Sequence, residues 1–333
     1  MTGWVDRLWY GKSRPLWWLW PLALLYRQVA EKRRLNALAH LADRPRPAAP
    51  VIVVGNITAG GTGKSPLTAW LVDVLREAGW HPVILTRGYG GRSDHYPLQV
   101  TQQTPAAEAG DEPVMLARQS GCPVVVDPQR ARGACWALEQ SLGNILICDD
   151  GLQHYGLHRD LELAVFDGRR GIGNGALIPV GPLREPVQRL DTVDFVIING
   201  EPVAPVPSAQ YSIMTLVPEH LVNLLNGQTQ PLSWLAGKAV RGVAGIGNPG
   251  RFFDTLTSLG AQVRPAAFAD HHRFTPRDLA IDAGEILVMT AKDAVKCDTF
   301  AHKDCWVLGV KAQLPESFRE ALVARVAAQS AGV

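Results

Sequence analysis

Four consecutive apolar residues, Val51–Val54, lead through a short loop into Thr58-Ala-Gly-Gly-Thr-Gly-Lys-Ser65, and an amphipathic stretch, Pro66–Ala78, follows at once. Few folds accommodate a buried strand, a glycine loop and a helix in that order. The glycines let backbone N–H groups turn toward phosphate oxygens, Lys64 neutralises the β- and γ-phosphates, and the Ser65 hydroxyl is placed to ligate Mg²⁺. Pro66 suits the first helical turn, where its missing N–H would be unpaired anyway. Thr58 stands where the usual pattern has glycine, a variation that Gly60-Gly61 offsets in part. Thr58, Ala59, Gly60, Gly61, Thr62, Gly63, Lys64 and Ser65 are therefore the expected contacts of a nucleoside triphosphate.

Further short apolar runs follow at Val83–Thr86, Pro123–Val126, Ile145–Cys148, Leu163–Phe166 and Phe195–Asn199. Each is too continuously apolar for a half-exposed strand and reads as buried on both faces. Amphipathic stretches such as Leu67–Ala78 and Arg130–Ser141 lie between them, so the first 200 residues predict a doubly wound α/β domain. The proline-rich Glu201–Pro207 ends the pattern. Two extended runs between Gln210 and Trp234 flank Asn226-Gly227, a dipeptide that favours a hairpin turn. A second α/β pattern then has strands at Val240–Ala244, Glu285–Met289 and Trp306–Val310, with helices at Gly250–Ser258 and Pro315–Ala328. At 333 residues, two domains are the better expectation.

The net charge of +2 hides an uneven distribution. Residues 1–47 hold nine Lys and Arg, Lys12 and Arg14 among them, against Asp6, Glu31 and Asp43, so this end is +6 and the remainder −4. It also holds five of the ten tryptophans within its first twenty residues. Leu16–Tyr26 has eleven residues, whereas a spanning helix takes about twenty. A secretory signal does not fit either, because no small-residue cleavage site precedes Glu31-Lys-Arg-Arg34. Indole rings beside cations suit a segment lying in the headgroup region of a membrane; the alternative is a helix packed on its own domain. A Pro-rich joint, Arg44-Pro-Arg-Pro-Ala-Ala-Pro50, follows. The five cysteines are well separated and form no CxxC pair, which argues against a disulfide framework or a zinc site.

Other candidate residues sit where strands and helices end. Asp149-Asp150 closes the strand Ile145–Cys148, and ligands of such folds bind at strand carboxyl ends, so the pair can hold Mg²⁺ or its waters; a helix cap and turn would use the same residues. Gly110-Asp-Glu-Pro113 opens a helical stretch, where acids are ordinarily caps. Adjacent histidines in Asp270-His-His-Arg-Phe274 are ordinarily surface or core residues. Arg87-Gly-Tyr-Gly-Gly91 brings a cation and a ring to a flexible loop suited to phosphate or sugar contacts.

Taken together, Val54–Pro66, Thr86–Gly90, Gly110-Asp-Glu112, Asp149–His154, Gly181-Pro-Leu-Arg-Glu-Pro186, Gly245-Ile-Gly-Asn-Pro249, Asp270-His271 and Thr290-Ala-Lys-Asp-Ala-Val-Lys296 closely resemble the tetraacyldisaccharide 4′-kinase family of Gram-negative lipid A biosynthesis. The resemblance implies transfer of the ATP γ-phosphoryl group to the 4′-hydroxyl of an acylated glucosamine disaccharide 1-phosphate, by a peripheral protein on the cytoplasmic face of the inner membrane. It implies two α/β/α domains, the first with a P-loop NTPase-like parallel sheet, joined by a two-stranded linker. The expected bounds are a membrane-interface segment at 1–47, the P-loop domain at 48–205, the linker at 206–236 and a smaller domain at 237–333. Asp111 and His271 would form a dyad in which the aspartate helps take the hydroxyl proton, with Lys64 as the third catalytic residue. Ser65 and Glu112 or Asp149 would hold Mg²⁺, Asp150 would support the nucleotide, and Tyr89, Arg130, Gln153 and His154 would contact the disaccharide. Arg87 is a further substrate-binding candidate. Ser65 replaces the commoner threonine and keeps the hydroxyl; Ala291 replaces a frequent glutamate. With Asp111 and His271 on different domains, closure would complete the site.

Two other classes use similar loops. A P-loop ATPase coupling hydrolysis to assembly or delivery would hydrolyse ATP without a lipid acceptor, and a nucleotide-gated membrane adaptor would bind ATP without turnover. No nucleic-acid recognition motif accompanies the basic end, and the bulk of the chain is acidic.

Overall fold

The computed structural model describes residues 4–11, 16–44 and 46–330. Lys12 and Arg14 of the basic end, Pro45 of the proline-rich joint and the last three residues of the expected smaller domain lie outside the described residues.

The strands are β1 (Val51–Gly55), β2 (Pro82–Thr86), β3 (Leu98–Val100), β4 (Val124–Val126), β5 (Ile145–Cys148), β6 (Leu161–Asp167), β7 (Phe195–Asn199), β8 (Ser212–Asn223), β9 (Thr229–Gln230), β10 (Ala239–Ala244), β11 (Gln262–Ala267), β12 (Ile286–Thr290) and β13 (Cys305–Gln313). The helices are α1 (Trp4–Tyr10), α2 (Trp20–Ala39), α3 (Lys64–Glu77), α4 (Ala106–Ala109), α5 (Asp111–Ser120), α6 (Arg130–Glu139), α7 (Pro249–Ser258), α8 (Ala291–Ala294) and α9 (Glu316–Ser330). Neighbouring strands pair in the order β11-β10-β12-β13-β8-β7-β6-β1-β5-β2-β4-β3, with β9 on β8. The result is a mixed α/β architecture built on a large, mostly parallel sheet.

The uninterrupted apolar runs are buried on both faces, as continuous hydrophobicity requires. Ile52, Val54, Ile145 and Ile147 pack with α3, α5 and α9 on one face. Their strand neighbours Val51, Val53, Leu146 and Cys148 pack with α6 on the other, following the two-residue alternation of a strand. The strands β10, β12 and β13 are covered in the same way, by Phe252 and Leu256 of α7 on one side and by Phe274, Leu279 and Cys297 on the other.

β8 belongs to both groups of strands. Ser212–Met214 pairs in parallel with β7, and Thr215–Asn223 pairs antiparallel with β13. Of the two runs expected around Asn226-Gly227, the first is this long strand. The second is only β9, because Pro231 has no N–H to continue the ladder and a 3₁₀ turn, Leu232–Leu235, takes over. α9 returns to the first group of strands, where Phe318 packs on Trp70 and Phe195 at ring separations of 5.7 and 5.2 Å.

Parallel pairing of β1 with β5, with Val51 opposite Leu146 and Val53 opposite Cys148, brings the loop after β1 and the acids after β5 side by side at one sheet edge. That edge positions the site.

Candidate active site

The glycine loop joins β1 to α3 as the sequence predicts. Gly63 is the N-cap of α3 at φ 96°, and a Cβ there would lie 2.4 Å from Asn199 Nδ2, so only glycine fits. The first N–H groups of α3 have no intrahelical partner and, with the helix dipole, favour an anion. Lys64 Nζ stands 3.4 Å from Asp150 Oδ1 as an ion pair. Arg184 Nη1 approaches the other oxygen at 3.7 Å. Asp150 adopts φ 47°, a left-handed conformation uncommon outside glycine. Burial pushes its carboxyl up, but Lys64, Arg184 and Arg130 together outweigh that and hold it below the usual range.

Asp149 differs from its neighbour. Only 1% of it is exposed, and Thr68 Oγ1 donates to its Oδ1 at 2.9 Å. Burial, with the charges of Glu112 and Asp150 nearby, pushes its carboxyl up to about 7 despite Lys64. The side chains of Ser65, Glu112 and Asp149, the expected Mg²⁺ ligands, carry hard oxygen atoms of the kind that ion takes, although no cluster of three or more acidic, histidine or cysteine side chains able to hold a metal occurs among the described residues.

Asp111 begins α5 behind Gly110, whose φ of 97° and lack of a side chain let the Tyr89 carbonyl come close; a Cβ there would fall 2.7 Å from that oxygen. The loop bearing Arg87 and Tyr89 therefore lies against the start of α5. Asp111 Oδ2 is 3.0 Å from His271 Nδ1, joining a helix of the first strand group to a loop that follows β11. The pair that the resemblance assigned to two domains is thus already together. His271 has φ 60°, and its ring lies 5.1 Å from that of Tyr89. The hydrogen bond to Asp111 raises His271 above the ordinary imidazole value although burial opposes it. Burial pushes Asp111 up in turn, but the His271 hydrogen bond and the charges of Lys292, His271 and Lys296 bring it below its ordinary value.

The expected acceptor contacts divide. Arg87 and Tyr89 are exposed at the site. Arg130 is buried and donates to the Asp149 and Asp150 carbonyls, both at 3.0 Å, which braces the acids. Gln153 donates to Asn56 O at 2.9 Å and Glu185 Oε2 at 3.0 Å, which braces the strand end before the glycine loop. His154 is held down to about 4 by burial and by Arg130, Arg159, Arg44 and Arg87, so it is neutral at physiological pH within a cationic corner.

Several residues were missed when the sequence was read alone. Lys292 Nζ bridges Glu112 Oε1 at 2.8 Å and Asp270 Oδ1 at 3.0 Å. Lys296 Nζ reaches Asp293 Oδ1 at 2.8 Å and lies 4.0 Å from Asp111 Oδ2. Asp293, fully buried, accepts from Gly245 N at 2.8 Å and Thr290 Oγ1 at 2.7 Å. All three lie in the Thr290–Lys296 string, where Lys296 follows Asp293 by three positions and Lys292 by four, the spacing of one helical face and the available signal. Arg184 and Glu185 lie in Gly181–Pro186. Asn199, at the end of β7, carried no signal.

α2 buries only Ala23 among its described side chains, against Ala176 and Val180. Trp17, 80% exposed, stands out with Trp18, Trp20, Leu22, Leu24 and Leu25. No helix among the described residues is long and apolar enough to cross a membrane.

A family model described as tetraacyldisaccharide-1-P 4′-kinase matches residues 15–327. The chain is 43% identical over 331 residues to the tetraacyldisaccharide 4′-kinase of Methylobacillus flagellatus, covering 97% of this chain and 96% of that one. It is 46% identical over 327 residues to that of Aeromonas salmonicida, with the same coverages. Among solved structures it is similar to LpxK from Aquifex aeolicus in complex with ATP, with TM-score 0.75, 28% identity, and 92% and 98% of the two chains covered.

Proposed function

The chain belongs to the tetraacyldisaccharide-1-P 4′-kinase family, and on that premise we infer that it transfers the γ-phosphoryl group of ATP to the 4′-hydroxyl of a tetraacyldisaccharide 1-phosphate, the lipid A precursor. The observation that supports this best is the Asp111–His271 contact, at 3.0 Å, beside the charge cluster of Glu112, Asp149, Asp150 and Lys64.

Phosphoryl transfer asks a protein mainly for in-line positioning and for cations around developing charge. The backbone N–H groups of residues 59–65 and Lys64 are suited to hold the β- and γ-phosphates, and Asp150 to orient Lys64. Ser65, Glu112 and Asp149 would hold Mg²⁺, which supplies charge neutralisation at the transferring group. Asp111 accepts the hydroxyl proton as the nucleophile attacks, a step worth about 10²–10⁴-fold in rate for a positioned base. His271 keeps that carboxylate ionised and oriented. Arg87 and Tyr89 border the acceptor side, and the arginines around His154 suit an anionic group of the acceptor, with Arg130 and Gln153 fixing the adjoining backbone. The two strand groups act as units moving about β8, and Lys292, between Glu112 and Asp270, holds them closed.

We assign the N-terminal segment to the membrane surface, peripheral and on the cytoplasmic face, where each apolar side chain taken from water is worth about 1.5–3 kcal/mol. Vesicles containing anionic lipid should sediment the protein, and replacing Trp17, Trp18 and Trp20 by serine should release it; unchanged sedimentation would remove the assignment.

The reaction is tested by transfer of label from γ-labelled ATP to tetraacyldisaccharide 1-phosphate in detergent micelles. Labelled lipid that disappears with Lys64→Ala is expected. ATP hydrolysis with no labelled lipid would overturn the kinase.

A further inference from the structure

A phosphate-cradling loop works only if its N–H groups face the ligand, and glycines by themselves do not secure that. Gly60, at φ 111°, and its neighbour Gly61 leave the flanking peptide planes free to flip. Because a trans peptide is planar, its C=O and the next N–H point in opposite directions. A donor that fixes one carbonyl behind the loop therefore fixes one N–H in front of it.

Three side chains supply such donors. Asn199 Nδ2 donates to Thr62 O at 3.0 Å, which orients Gly63 N–H. Asn56 Nδ2 donates to Gly60 O at 3.3 Å, which orients Gly61 N–H. The third comes from outside the sheet: Tyr10 Oη, at the end of α1, donates to Ala59 O at 3.2 Å, which orients Gly60 N–H.

α1 is seated firmly enough to do this. Asn174 N donates to Trp9 O at 2.8 Å and Asn174 Nδ2 to Leu8 O at 3.3 Å. Trp9 Nε1 donates to Pro179 O at 3.1 Å. Arg170 lies over the Tyr10 ring, 5.0 Å from its centroid, and pairs with Asp6 at 3.6 Å. The same guanidinium comes within 3.5 Å of where a Cβ on Gly60 would be.

We propose that Tyr10 is a positioning residue of the phosphate loop, holding Gly60 N–H toward the nucleotide and thereby linking ATP affinity to the seating of the N-terminal segment. This rests on the reading of residues 58–65 as the ATP site. Linkage is reciprocal, so bound ATP must also stabilise α1 on the loop.

The test uses the full chain in detergent micelles, with calorimetric titration of Mg²⁺–ATP and Lys64→Ala as the control for the loop. Tyr10→Phe keeps the ring beneath Arg170 and removes only the donor. One hydrogen bond lost should weaken ATP binding about 5-fold. The KM for ATP should rise in step, with kcat and the KM for lipid unchanged and the thermal midpoint lowered by no more than the roughly 2 °C that one hydrogen bond accounts for. Saturating ATP should slow hydrogen exchange across residues 4–10 of the wild type more than of the variant. ATP affinity equal to wild type in Tyr10→Phe, while Lys64→Ala abolishes binding, would overturn the proposal alone. A thermal midpoint that falls by much more than one hydrogen bond accounts for, with the loss of affinity following it, would also overturn the proposal, making Tyr10 a fold residue only. Wild type that binds no ATP would remove the ATP-site reading and this proposal with it.

Discussion

Asp149 and Asp111 are both buried carboxylates at the ends of secondary-structure elements, and they ionise in opposite senses. Burial pushes both upward. At Asp149 the nearby charges of Glu112 and Asp150 add to that push, and Lys64 with the Thr68 hydroxyl does not cancel it. At Asp111 the hydrogen bond from His271 and the ammonium groups of Lys292 and Lys296 reverse it. Burial sets the size of the effect and the counter-ions set its sign. One acid has its charge compensated by the chain itself, as the base role proposed for it requires, while the other sits among anions that Lys64 offsets only in part, as the metal role proposed for it requires.

The largest effect should come from breaking the neutralised side. Asp111→Asn and His271→Ala should each lower kcat by about 10²–10⁴-fold, with ATP affinity by calorimetry unchanged; loss of ATP binding in either variant refutes the assigned role. The anionic side should respond differently. Its carboxyl is raised from the ordinary value to about 7, so the folded state holds the proton more tightly and stability falls as pH rises between those two values. Asp149→Asn should therefore raise the thermal midpoint at pH 8 and hardly change it at pH 4, although turnover drops. The same gain at both pH values would show that its burial, not its charge, is what matters. The smallest effect on turnover should come from the bridge between the two sides. Lys292→Met leaves Glu112 without its ion-pair partner and Asp270 with only His271, and should cost about 3 kcal/mol in denaturant unfolding, with kcat lowered less than in Asp111→Asn. Full stability in that variant would remove Lys292 as the tie between the strand groups.

Legibility followed chemistry and periodicity. β1, β2, β5 and β6 were readable because burial on both faces demands continuous apolar runs. β3 was not, being three residues at an antiparallel edge with only Val100 buried. β11 hides behind Arg264 and Pro265, which an edge strand tolerates and a central one does not. Residues 58–65 were legible from order and spacing, whereas Asp111 and His271 were visible only through the resemblance, since an acid at a helix start and paired histidines ordinarily have plainer explanations. The bracing by Arg130 and Gln153 could not be read because their partners are backbone carbonyls of Asp149, Asp150 and Asn56, which leave no trace in side-chain pattern, and the Glu185 carboxylate, 32 positions along the chain from Gln153.

The sequence by itself determined a strand, a glycine loop and a helix in succession, an α/β architecture, and a tryptophan-rich basic segment whose apolar stretch, Leu16–Tyr26, is too short to span a bilayer as a helix, because all of these rest on local spacing and composition. Tertiary structure alone decided that β8 serves both groups of strands, that α9 packs back onto Trp70, that Asp111 meets His271 across 160 positions of chain, and that Tyr10 reaches the Ala59 carbonyl. The physical reason is that ionisation and hydrogen bonding depend on which groups are brought within a few ångströms, and chain order does not carry that distance.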